Sequence, residues 1–182
     1  LCYSDEFKII DGKLNELFSN TNDWLKYAEA KSATLIAGNG ALIFGISRIH
    51  NAFELSGGLS AYLVLIIGLC VISLSICLLS VVPALGMPWD SKPNGTKPSD
   101  NILYFGDIAK YSPLAYLNKL SSHLGLSNIE FTGYQKDLAS QIVTNSAISL
   151  RKYNHFKIAI WLTLSAVVSP VVAILIYRFR NK

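Results

Sequence analysis

The stretch LSAYLVLIIGLCVISLSICLLSVVPAL, Leu59–Leu85, decides the fold. It carries no charge, its apolar residues lie on every side of a helix, and it exceeds the roughly 20 residues a helix needs to cross about 30 Å of hydrocarbon. We read a membrane helix over 59–85. Pro83, Gly86 and Pro88 end it, and Trp89 suits the headgroup level beyond. On its other side His50–Gly58, with Asn51, Glu54, Ser56, Gly57 and Gly58, is polar and short enough for a hairpin turn between two spans.

Two further uncharged stretches flank this one, 32–47 and 158–177. The second has the length of a full span. The first covers only about 24 Å at 1.5 Å per residue, so Lys31 and Arg48 must snorkel if it is to cross. Composition agrees with a membrane protein: 182 residues are 51% hydrophobic and 15% charged, with a mean hydropathy of +0.37. The net charge of +4 arises from 16 basic and 12 acidic residues spread thinly outside the apolar stretches. That pattern is no nucleic-acid footprint and fits a membrane surface. The expected class is an all-α integral membrane protein with about three transmembrane helices and a small membrane-proximal cytosolic helical region.

Helical spacing divides the rest. Residues 1–21 form an N-terminal amphipathic helix, because Phe7, Ile10, Leu14, Leu17 and Phe18 make one apolar stripe; such a helix lies on a membrane or a partner. Ser19–Asp23 is rich in N-capping residues, so a second helix starts near Asn22 and continues as the first membrane helix with its juxtamembrane extension, 22–50, with Trp24 and Tyr27 near the headgroups. Residues 86–128 hold a cytosolic linker and a short helix. The linker contains Pro93, Asn94, Gly95 and Pro98, the aromatic run Asn101–Asp107 packs against the cytosolic helices, and Ser112-Pro113 starts a helix over Leu114–Leu124 that closes at Gly125. Residues 129–178 form one long helix that ends in the third span, kinked at Pro170.

The first span has a property the others lack. Ala33, Ala37, Ala41 and Gly45 recur every four residues, a small-residue face that marks a helix–helix contact within one subunit or between copies, with Asn39 as a hydrogen-bonding partner. Cys70 and Cys77 lie seven apart on one apolar helix and read, with Cys2, as reduced packing residues. The acidic N-terminal residues argue against a signal peptide and for an N-terminus in the cytosol. Lys8, Lys13, Lys26 and Lys31 then share a side with the basic residues of 86–157, as the positive-inside rule asks. Arg178, Arg180 and Lys182 break that rule unless the first segment stops short of crossing.

Catalysis has no candidate: His50, His123 and His155 stand alone, no metal-ligand spacing occurs, and no phosphate-binding glycine loop follows a strand. What remains is a polar stripe, Asp137, Gln141, Asn145 and Ser149 at four-residue intervals, with Glu29, Lys31, Arg151 and Lys152 near the membrane boundary. It reads as a solvated face, or as an inter-helix network or pocket for a small anionic ligand.

Three motifs in order resemble the transmembrane effector family of Pycsar, the bacterial antiphage system in which a pyrimidine cyclase makes a cyclic nucleotide that triggers an effector. They are Ala28-Glu29-Ala30-Lys31-Ser32-Ala33, with Glu29 where the family typically has aspartate; Asn101-Ile102-Leu103-Tyr104-Phe105-Gly106; and Asp137-x-Ala139-x-Gln141-Ile142 leading to Arg151-Lys152-Tyr153. The resemblance, over about 22–177, implies a multi-pass, non-catalytic effector of the bacterial inner membrane. Its partners would be the lipid bilayer, a second copy of the chain in a homo-oligomer, and cyclic CMP or cyclic UMP; no cofactor, metal or nucleic acid is implied. On triggering it would permeabilise the membrane and arrest the infected cell. If the nucleotide binds directly, Lys31, Asn101, Tyr104, Gln141, Asn145 and Lys152 are the candidates, with basic and amide groups on phosphate and base and Tyr104 stacking. The rival readings are a non-catalytic membrane anchor and a channel subunit acting with a partner; the absence of ionisable groups from the apolar stretches counts against the channel.

Overall fold

The computed structural model describes residues 3–53, 57–82, 95–126 and 130–180, with the side chains of 3–6 and 173–177 excepted. Five helices follow one another: α1 (Tyr3–Ala52), α2 (Gly57–Val81), α3 (Phe105–Ile108), α4 (Pro113–His123) and α5 (Gly133–Arg180), with no strand among the described residues. Three of them contain segments long and apolar enough to cross a membrane: Phe7–Ala52, Gly57–Val81 and Gly133–Val172. The protein is an all-α membrane protein. Its residues group into two compact units, one of Leu1–Ala28 with Ala84–Lys152 and one of Glu29–Pro83 with Tyr153–Lys182.

The first unit is built on the apolar stripe of α1. Ile10, Leu14 and Leu17 are buried against Tyr116, Leu117 and Leu120 of α4 and Leu138, Ala139 and Ile142 of α5. This corrects the expectation that the stripe lies on a membrane or partner: its own chain covers it, at a gain of about 1.5–3 kcal/mol for each fully buried side chain. The division into helices over 1–21 and 22–50 is also corrected, because α1 passes unbroken through Ser19–Asp23. Capping residues favour a helix start without requiring one. Here no proline intervenes, and the Thr21 hydroxyl donates to the Phe18 carbonyl at 3.0 Å while its helix continues.

Local chemistry sets the other boundaries of this unit. Ser112 caps α4, its hydroxyl accepting from the Ala115 N–H at 3.3 Å with Pro113 at the first helical position, and α4 ends before Gly125, whose φ of 73° is costless only for glycine. Thr132 and Gln135 form a reciprocal capping box at the head of α5: the Thr132 N–H donates to Gln135 Oε1 at 3.0 Å and the Gln135 N–H to Thr132 Oγ1 at 3.2 Å. The expected start near Ile129 lies outside the described residues, as do the helix-ending Pro83, Gly86 and Pro88, the interfacial Trp89, the linker up to Asn94, and Cys2. Pro170 lies inside continuous α5, where its ring removes one backbone donor.

The second unit packs α1, α2 and α5 along a seam of small and polar side chains. On α2 the buried positions are Ile66, Cys70, Ser73, Cys77 and Ser80, at alternating spacings of four and three. Leu35 and Ala159 meet Cys77, and Ala166 meets Ile66 and Cys70. The large aliphatic residues of α2, including Val64, Leu65, Ile72, Leu78 and Leu79, are exposed. This is polar-in, apolar-out packing, as expected for helices solvated by lipid.

Candidate functional site

Side-chain hydrogen bonds of the second unit converge on Asn39, Ser73 and Thr163, one residue from each long helix. Asn39 Nδ2 donates to Ser73 Oγ at 2.9 Å, Ser73 Oγ lies 2.8 Å from Thr163 Oγ1, and Thr163 Oγ1 donates to Asn39 Oδ1 at 2.9 Å. The ring is closed and buried, Asn39 and Ser73 being 0% exposed. Both hydroxyls also reach the Ala159 carbonyl, at 2.7 and 3.2 Å, so each single hydroxyl proton is shared between the ring and the backbone. Two further polar pairs join the same helices: Tyr62 donates to Ser169 Oγ at 2.9 Å, and His50 Nε2 lies 2.8 Å from Ser60 Oγ.

Sequence reading picked out Asn39 as a hydrogen-bonding residue but placed it beside the small-residue face. The structure separates the two. Asn39 points inward with Ser32 and Leu35, whereas Ala33, Ala37, Ala41 and Gly45 are all exposed. Contact within one subunit therefore runs through the opposite side of α1, and the four small residues face outward. Ser73 and Thr163 were missed; for Ser73 the signal was its helical step with Cys70, Cys77 and Ser80, which Ser60 and Ser75 do not share.

In the first unit the polar residues centre on the end of the linker. Asp100 is buried, and its carboxylate accepts from the Lys97 N–H at 2.7 Å, the Lys110 ammonium at 3.0 Å and the Tyr111 hydroxyl at 3.2 Å. Lys110 also pairs with Asp107, whose other oxygen accepts from the Asn101 N–H at 3.0 Å. The backbone hydrogen bond from Lys97, followed by the contacts from Lys110 and Tyr111, holds the Asp100 carboxyl below the usual carboxylate range against the opposing effect of burial. Hydrogen bonds to Asp107 and Asp100 raise Lys110, and burial raises Tyr111. This clasp was not foreseen, because the prolines and glycines around it read as linker.

Five of the six candidate nucleotide contacts belong to this unit. Asn101 is exposed, and its Oδ1 accepts from the Leu103 N–H at 2.9 Å. Tyr104 is half exposed; its ring lies 4.7 Å from that of Phe105, which in turn sits 5.2 Å from Trp24. Gly106 permits this, since a Cβ there would come within 2.5 Å of the Tyr104 ring. On α5, Gln141 is exposed, Asn145 donates to Asn22 Oδ1 at 2.8 Å, and Lys152 is buried. The polar stripe thus turns from solvent at Asp137 and Gln141 to the interior at Ser149. Lys31 belongs to the second unit, its ammonium 5.0 Å from the centre of the Tyr153 ring. No cluster of metal-ligating side chains occurs among the described residues.

Set beside known protein families, residues 13–179 match the Pycsar effector protein domain, PycTM. The chain belongs to this family. The match reaches into all five helices and both units, so it describes the architecture and not one motif. A comparison with curated proteins and one with solved structures gave no match. As a member of this family the protein is an antiphage membrane effector, and the family's transmembrane effector domain is of a non-enzymatic type.

Proposed function

We propose that this Pycsar effector sits in the bacterial inner membrane with its N-terminus in the cytosol, and that a cyclic pyrimidine nucleotide, cyclic CMP or cyclic UMP, triggers it to permeabilise that membrane and end the infection with the cell. The observation that carries this reading is the family match over 13–179 of a chain with three spanning segments. The first unit is the ligand-responsive part. Tyr104 offers an exposed ring for stacking, while Asn101, Gln141, Asn145 and Lys152 supply amides and positive charge for base and phosphate. Lys31 acts separately, as a cation at the boundary of the first span. The working form is a homo-oligomer, and the exposed stripe Ala33, Ala37, Ala41 and Gly45 is its contact, since small residues allow close helix approach in lipid.

Two states of the oligomer, closed and open, would be biased by ligand only through a difference in their affinities for it. The test is calorimetric titration of the detergent-purified chain with cyclic CMP and cyclic UMP, with linear monophosphates as controls. Saturable binding of one cyclic form, weakened by Tyr104→Ala or Gln141→Ala, is the expected result. No heat with any of them would leave a membrane anchor that acts through a partner.

A further inference from the structure

We infer that the hydroxyl, amide and thiol side chains sealed inside the three-helix unit are the lining of the path that water and small ions take when the membrane opens. The inference rests on the proposed permeabilising function and adds which residues face the water. A bundle held together by packing alone could fill its seam with the Leu, Ile and Val that α2 instead turns outward. The seam carries polar groups along the full thickness: on α2, Ser60 to Ser80 spans roughly 30 Å, the depth of the hydrocarbon. Along it lie the His50–Ser60 pair, the Tyr62–Ser169 pair, the closed ring of Asn39, Ser73 and Thr163, and the buried Ser80.

Two observations exceed what interhelical adhesion requires. Ser32 is 2% exposed and its hydroxyl has no hydrogen-bond partner among the described residues, a group that a passing water would satisfy. And an apolar cleft of about 160 Å³, lined by Ile46, Ile66, Cys70, Ala166, Val167 and Pro170 among others, opens beside the seam between the levels of the polar ring and the Tyr62–Ser169 pair, which leaves the helices room to part there. Apolar layers close the path at rest, one of Leu35, Cys77 and Ala159 and one of Ile66, Cys70 and Ala166. Constrictions of this kind exclude water until they widen. No charged side chain is buried in the seam among the described residues, so the open path would pass small ions of either sign.

Cys70 and Cys77 are native reporters, since both are free thiols at 0% exposure in these two layers. The experiment applies a membrane-impermeant cationic thiosulfonate to vesicles holding the full chain in a Cys2→Ser background, and reads the modification rate beside ion flux. At rest both thiols should be inert. Ser73→Asp places a charge in the seam without any ligand; it should produce flux and raise the rate at Cys70 or Cys77 by roughly tenfold or more, because only a thiolate reached by water reacts. Ser75→Asp puts the same charge on the exposed face of α2 and should do neither. Asn39→Asp, nearly isosteric, repeats the arm if Ser73→Asp does not insert. Flux with both cysteines still inert overturns the inference, as does an inserted seam carboxylate that opens nothing. A cyclic nucleotide arm separates the two readings: absence of flux there removes the proposed trigger, while the carboxylate arm still judges the lining.

Discussion

Asp100 gathers three donors, from Lys97, Lys110 and Tyr111, and the first unit closes around it. The titration of the clasp fixes its pH window. A carboxylate held below its ordinary pKa stabilises the fold above the usual carboxylate range, and that contribution is lost as pH falls through the lowered value. Lys110 and Tyr111, both raised, contribute below their ordinary values and lose this as pH rises through the raised ones. Thermal unfolding followed by near-ultraviolet dichroism should therefore show an acid limb that Asp100→Asn flattens; an unchanged limb would place acid sensitivity elsewhere. Tyr116 is fully buried and its hydroxyl donates to the Ile102 carbonyl at 3.1 Å, so Tyr116→Phe should cost about 1 kcal/mol in chemical unfolding. Asn39 was legible as a bonding residue because amides are rare in apolar stretches. Asp100 was not, because its partners come from Lys97, Lys110 and Tyr111, and nothing in the spacing of a proline-bearing segment tells which way a carboxylate turns.

At the scale of elements, α5 begins where side chains allow. Gln135 closes the capping box with Thr132 and its Nε2 donates to Asp11 Oδ1 at 2.8 Å, tying α5 to α1. Gln135→Ala should lose about 1–2 kcal/mol of unfolding free energy, since it removes a cap and a charge-assisted bond. Gln135→Glu keeps the cap but sets a carboxylate against Asp11, so its loss should appear at neutral pH and shrink on acidification. The continuity of α1 was hidden for a related reason. The buried positions keep spacings of four, three and four on both sides of the expected break, Ile10, Leu14, Leu17 and Thr21 before it and Ala28, Ser32, Leu35 and Asn39 after it. Between them Asn22 and Asp23 are polar, and capping residue types look the same in sequence whether or not a helix starts at them. The spans over 59–85 and 158–177 were plain in sequence, because apolar length is sufficient evidence for them, whereas 32–47 is shorter than the hydrocarbon and its crossing does not follow from length. Gly45 makes the proposed homo-oligomer testable: nothing lies within 4 Å of a Cβ added there, so Gly45→Ile should leave the monomer's helicity intact while weakening cross-linking between copies in membranes. Equal cross-linking would remove the small-residue stripe as the contact.

For the whole molecule, the family match and the three spans give an antiphage membrane effector, and the trigger proposed for it is a cyclic pyrimidine nucleotide. The proposed nucleotide contacts rest on the least legible part of the sequence. Residue type and position point to Asn101, Gln141 and Asn145, yet Asn101 spends its side-chain carbonyl on a turn and Asn145 donates its amide N–H to Asn22, so the groups left for a ligand depend on packing that no linear pattern encodes. The most direct measurement is dye efflux from vesicles of bacterial lipid holding the purified chain, with cyclic CMP, cyclic UMP or their linear monophosphates added outside and, in a second set, inside. Efflux with one cyclic pyrimidine nucleotide, absent with the linear forms and reduced in Tyr104→Ala, is the result predicted. Tight vesicles with every nucleotide on both sides, from protein shown to have inserted, would contradict the account.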